Sequence, residues 1–163
     1  MLKLTTGSLI AAIALAVPAG ATAAGMHVDH GTGPTMVHVP AYDGIKTQVH
    51  SWSRDGSTTL RLMVNGLPAG ATYGAHVHTL PCGALPGASG GHFQYGATGT
   101  LAQREVWLDI TPDAHGEAKS STTVPWQFAP GTAGSVVIHA LPTDPITGFA
   151  DARLACTTVT FGE

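Results

Sequence analysis

"YGAHVHTLPCGALPGASGGHFQ", Tyr73 to Gln94, sets three histidines and a cysteine among glycine, alanine, proline and small apolar residues. Successive side chains of a β-strand point to opposite faces. A strand through "YGAHVHT" therefore projects His76 and His78 side by side, with Ala75 and Val77 on the other face. Gly90 and Gly91 let the backbone bend freely just before His92. The stretch predicts two imidazoles on a strand and a third on the loop that follows.

Outward from there the chain repeats one pattern. The runs "TQVHSWS", "TTLRLMV", "EVWLDI", "AKSSTTVPW", "SVVIHA" and "CTTVTF" are rich in β-branched and aromatic residues. Turn signals separate them, among them Asp55-Gly56, Asn65-Gly66, His115-Gly116 and Pro130-Gly131. Leu60, Leu62 and Val64 alternate with Arg61 and Met63, and Val106, Leu108 and Ile110 alternate with Glu105, Trp107 and Asp109. Period-two alternation argues half-buried strands. No helical pattern competes with it. Short strands with regular turns predict an all-β fold, an antiparallel Greek-key sandwich or barrel. Two longer irregular stretches, Pro81 to about Arg104 and Leu141 to about Leu154, each begin just after a histidine-bearing strand and read as functional loops.

His139 closes the strand "SVVIHA" and brings the set to four imidazoles. Imidazole suits Cu(II), Zn, Ni and Fe, and four nitrogens without a thiolate favour a tetragonal copper site. The alternative is that His76 and His78 are ordinary residues of an edge strand.

The 163 residues fit one domain, and 44% hydrophobic content is ample for a core. A net charge of -3 offers no basic footprint for nucleic acid. Residues 1–24 read as a signal peptide: Lys3, the apolar run "GSLIAAIALAV" and the small-x-small site Ala21-Thr22-Ala23. The apolar run is too short for a stable membrane span. The protein is therefore expected to be exported, to a periplasm or the extracellular space. That compartment lets Cys82 and Cys156 form one disulfide. Two buried thiols, or a thiolate ligand as in an electron carrier, are the alternatives.

Residues 25–40 read as a flexible arm, glycine-rich and carrying His27, His30 and His38 near Met26 and Met36. These residues are candidates for accessory copper capture. Cleavage after Ala24 would also create an amine–amide–imidazole copper motif at Gly25-Met26-His27, whereas cleavage after Ala23 would not. The β domain then spans residues 41–163.

Taken in order, "GAHVHTLPC", "SGGHFQ", "SVVIHA" and "ARLAC" resemble the copper/zinc superoxide dismutase family. "NGLPAG" and "DITPDAHGEA" also fit, and the resemblance runs from about Thr47 to Phe161. It implies a Greek-key β-sandwich that dismutates superoxide to O₂ and H₂O₂. It implies that His76, His78 and His139 are permanent copper ligands and that His92 leaves copper on reduction. It implies that Arg153 guides the anion and that Cys82 pairs with Cys156.

The chain departs from the family where zinc would bind. "FQYGATGTLAQ", Phe93 to Gln103, contains no His, Asp, Glu or Cys. "LPTDPITGFADA", Leu141 to Ala152, is short and has no lysine. The closest resemblance is thus to the copper-only branch, with copper as cofactor and no zinc expected. A metal-bound histidine usually donates its second N–H to a carboxylate or carbonyl. Glu105 is expected to hold His92 in place of zinc, with Asp109 second in line. Trp107, Trp126 and Phe128 read as packing residues. The expected function is an exported copper-dependent superoxide dismutase with superoxide as substrate. The alternative is a non-catalytic copper-binding or delivery protein on the same fold. A copper donor would be a partner of either, and no feature sets an oligomeric state.

Overall fold

The computed structural model describes residues 27–31, as backbone, and residues 33–162. The expected signal peptide lies outside the described residues. Among the described residues no helix is long and apolar enough to cross a membrane.

Among the described residues eight strands form two four-stranded antiparallel sheets: β1 (His27–Gly31), β2 (Met36–Val37), β3 (Lys46–Arg54), β4 (Ser57–Asn65), β5 (Ala75–His78), β6 (Glu117–Val124), β7 (Ser135–His139) and β8 (Arg153–Thr158). The first sheet has the order β1-β3-β4-β6 and the second β2-β8-β7-β5. The expected sandwich is present, with the chain passing from one sheet to the other after β1, β2, β4, β5 and β6.

The β3–β4 hairpin shows how sequence sets register. Asp55 and Gly56 both take positive φ, at 50° and 81°. Such a pair makes the primed two-residue turn whose twist matches its strands. The register then runs from Arg54 opposite Ser57 to Lys46 opposite Asn65. Val49, Leu60, Leu62 and Val64 all face the core. From the second sheet Ala75, Val77, Val136, Ile138 and Leu154 meet them, with Phe93, Trp126, Phe128 and Phe161 filling the remaining space. Full burial of each large apolar side chain stabilises by about 1.5–3 kcal/mol.

Three sequence expectations change. The stretch expected to be a flexible arm is paired: β1 lies beside β3, and β2 beside β8. A backbone at a sheet edge satisfies its polar groups by extending the ladder, whatever its glycine content. "EVWLDI" buries Val106, Leu108 and Ile110 as its alternation requires, but it is not a continuous strand. It follows the β5 edge through isolated bridges at His76–Trp107 and Tyr73–Ile110. The loop before it contains a four-residue α-helix, α1 (Leu101–Arg104), too short to leave a helical period in the sequence.

Candidate metal centre

Strand β5 delivers His76 and His78 on the face opposite Ala75 and Val77, so both rings leave the core and point under the loops. His139 arrives from the end of β7, where the ladder with β8 shifts register between Ile138 and His139. His92 forms an isolated bridge with His78. Gly90 precedes it at φ 71°, and a Cβ there would collide with Thr79. One nitrogen from each of His76, His78, His92 and His139 lies within 4.8 Å of the others.

Each ring is held through its other nitrogen. His78 Nδ1 donates to the Gly90 carbonyl at 3.1 Å, and His139 Nδ1 to the Asp151 carbonyl at 3.0 Å. Asp151 adopts φ 65°, a left-handed backbone that Asp tolerates better than most residues. His92 Nδ1 lies 3.0 Å from Glu105 Oε2. His76 Nε2 lies 2.7 Å from Thr143 Oγ1.

A carbonyl only accepts, so the neutral rings of His78 and His139 carry their proton on Nδ1 and leave Nε2 bare. His78 Nε2 and His139 Nε2 stand 3.3 Å apart. With both Nδ1 atoms carrying the ring proton, no hydrogen bond can join them, and two lone pairs face each other. His76 Nδ1 is a buried polar atom with no hydrogen-bond partner among the described residues. A buried polar atom without a partner costs free energy. A cation at the centre would satisfy every one of these lone pairs, and an all-imidazole donor set is chemically apt for copper. Burial is the largest cause that pushes the pKa of His76 down to about 2, of His78 to about 3 and of His139 to about 4. These rings stay neutral, with lone pairs available, at any ordinary pH.

Glu105 is almost wholly buried, and its carboxylate is fully used. Oε2 accepts from His92 and from the Trp107 indole N–H at 2.8 Å, and Oε1 accepts from Gln94 at 2.8 Å. Burial pushes this carboxyl up, but the hydrogen bonds outweigh it and hold the pKa below the usual range. Trp107, expected only to pack, is thus one of the groups that hold this carboxylate. Asp109 does not stand behind His92 as expected. It binds Thr143 instead, through both oxygens, accepting from the amide at 2.8 Å and from the hydroxyl. The two carboxylates serve different rings, Glu105 holding His92 directly and Asp109 reaching His76 through Thr143.

Arg153 opens β8 and lines a cleft of about 420 Å³ with His92, Glu105, His139, Phe149 and Asp151. Its guanidinium donates to the carbonyls of Pro86 at 2.8 Å and Gly90 at 2.6 Å, and to Ser89 Oγ at 2.9 Å. The Gly90 carbonyl therefore joins Arg153 to His78. Cys82 and Cys156 form a disulfide across 74 positions of the chain, which ties the Pro81–Gly90 loop to β8.

Of the accessory histidines, His38 is not brought to this centre. His38 lies beside β8, where its amide donates to the Leu154 carbonyl, and it is absent from the four-histidine group. The side chains of His27 and His30, and residues Gly25 and Met26, lie outside the described residues. Sequence reasoning missed Thr143. Its position four residues after His139 was the available signal, but a lone threonine in a loop announces no chemistry.

No family model matches the chain, and no curated protein matches it. Solved structures do. The clock protein EA4 superposes with a TM-score of 0.60 at 19% identity, covering 89% of this chain and 99% of that one. Cu/Zn superoxide dismutase from Brucella abortus superposes with a TM-score of 0.54 at 17% identity, covering 82% and 99%. The chain has the β-sandwich fold of these proteins, and it carries a four-histidine group and a disulfide.

Proposed function

We propose that the protein is an exported, copper-dependent superoxide dismutase that works without zinc. The observation that carries this reading is the tautomer pattern: each imidazole has one nitrogen tied to a neighbour and the other turned toward a common centre. The fold shared with a Cu/Zn superoxide dismutase supports the choice of reaction.

His76, through Nδ1, and His78, His92 and His139, through Nε2, would hold the metal. Copper bound there would take an electron from one superoxide and pass it to another, giving O₂ and, with two protons, H₂O₂. The protein supplies the remainder. His92 is the most exposed ring of the four, its side chain 19% accessible, and it borders the cleft. It can therefore exchange a proton with solvent at Nε2. Glu105 would stabilise the imidazolium by holding Nδ1–H, so a proton on Nε2 is ready for the departing peroxide. Arg153 gives the cleft a fixed positive charge that attracts a small anion. Because Glu105 occupies the His92 nitrogen that would otherwise face a second metal, the site is complete with copper alone.

The test is dismutation by the mature protein loaded with copper and cleared of zinc by chelation. Fast copper-dependent turnover is expected, unchanged by added zinc. Tight copper binding with no turnover would overturn the enzyme reading and leave a copper-binding or delivery protein.

A further inference from the structure

His76 is the ring with the greatest need of direction. It is 1% exposed, and its inward nitrogen is the buried Nδ1 that lacks a partner. The other three rings donate to acceptors that cannot donate back: two carbonyls and a carboxylate. His76 alone faces a hydroxyl, Thr143 Oγ1. A hydroxyl can donate or accept, so by itself it leaves the imidazole free to take either tautomer.

Asp109 removes that freedom. Its Oδ1 lies 2.5 Å from Thr143 Oγ1, and its Oδ2 accepts the Thr143 amide at 2.8 Å. An ionised carboxylate only accepts, and two oxygens this close require a proton between them. The single hydroxyl proton of Thr143 must point to Asp109. Thr143 Oγ1 then presents only lone pairs to His76, and His76 must carry its proton on Nε2. Its Nδ1 is left bare and aimed at the other three nitrogens.

We propose that Asp109 and Thr143 form a tautomer-setting relay for His76, in which a carboxylate on one loop acts through a hydroxyl on another to keep Nδ1 open for a metal ion. The inference rests on reading the four histidines as a metal site, but not on dismutation. Both are positioning residues and neither touches the metal. The relay also joins the 105–110 segment to the loop after β7, so the ring is oriented only when both are in place.

Asp109→Asn provides the sharpest test because it changes the direction of donation while keeping the shape. The amide oxygen would accept the Thr143 N–H, and the amide NH₂ would donate to Oγ1. The hydroxyl proton would turn to His76 Nε2 and drive the ring proton to Nδ1, into the metal site. Long-range proton–nitrogen spectra of metal-free, ¹⁵N-labelled protein read the tautomer directly, and competition with a chelator reads copper affinity. Wild type and Thr143→Ser are expected to show Nε2–H, and Asp109→Asn to show Nδ1–H with copper affinity about 10–100-fold weaker. A proton on Nδ1 of His76 in the wild type overturns the proposal even if a variant fails to fold. So does Asp109→Asn that keeps Nε2–H and wild-type affinity. Absent dismutation with the expected tautomers would overturn the proposed enzyme and leave the relay intact.

Discussion

The two sheets are built from similar strands and put to different uses. Strands β3 and β4 bury alternate positions and expose the rest, so their sheet has one dry and one wet face. Strands β5 and β7 are buried at every position. The second sheet is covered by further chain: the Pro81–Gly90 loop and the loop after β7, with the 105–110 segment along its β5 edge. Outward polar residues of the first sheet meet water and need no fixed partner. Those of the second are sealed in. Ser135 donates to the Leu80 carbonyl at 2.7 Å, and every histidine there is tied at one nitrogen. Covering a polar face obliges each group on it to have a defined partner. Four rings there turn a nitrogen to one point, an arrangement that could hold a metal ion.

The contrast can be broken first at the disulfide. Closing a loop of this length removes about 4–5 kcal/mol of chain entropy from the unfolded state. Cys82→Ser should lower unfolding stability by that order in a denaturant titration. A loss below about 1 kcal/mol would mean that hydrogen bonds alone hold the cover on the second sheet.

Acid is the next lever, applied to metal-free protein. The folded-state pKa values of His76, His78 and His139 lie near 2, 3 and 4, below the ordinary 6.5. Groups depressed in this way contribute stability above the unfolded pKa and lose it as pH falls. Stability should begin to drop below pH 6.5 and keep falling toward pH 4, as unfolding takes up as many as three protons. Three protons correspond to about 4 kcal/mol per pH unit at the steepest point. Calorimetry of the apo protein across this range checks the slope, and a flat profile would contradict the sealed imidazoles.

Glu105→Gln tests the cover chemically. The amide keeps the shape but weakens the acceptor facing His92 and sets an NH₂ against either Gln94 or Trp107. Copper affinity should fall by about 10–100-fold in chelator competition. The smallest effect belongs to the open sheet. Thr59 and Thr123 share a 2.8 Å hydroxyl bond on its exposed face. Thr59→Ala should cost about 0.2–1 kcal/mol of stability and leave copper affinity unchanged.

The wet sheet was the more legible of the two. Alternation in "TTLRLMV" and the Asp55-Gly56 turn specify the β3–β4 hairpin almost residue by residue, because water enforces a period of two. His76 and His78 were readable as a pair because residues i and i+2 of any strand share a face, covered or not. The cover was harder to read. Alternation in "EVWLDI" correctly marked the inward residues but could not show that the backbone breaks its ladder, or that Asp109 would reach a histidine only through Thr143. Thr143 carried no signal, since its meaning depends on a carboxylate 34 positions earlier. The strands at residues 27–31 and 36–37 were hidden too, because an edge strand needs backbone pairing more than any side-chain pattern.

The 105–110 segment has one further consequence. It lies along β5, the last strand of its sheet, with Leu108 and Ile110 amides donating to the carbonyls of Ala75 and Tyr73. An uncovered strand edge is a template for another chain. The segment that supplies Glu105 and Asp109 is therefore also the guard against self-association. Whatever loosens its hold on the imidazoles opens, in the same movement, a seam at which two molecules can join.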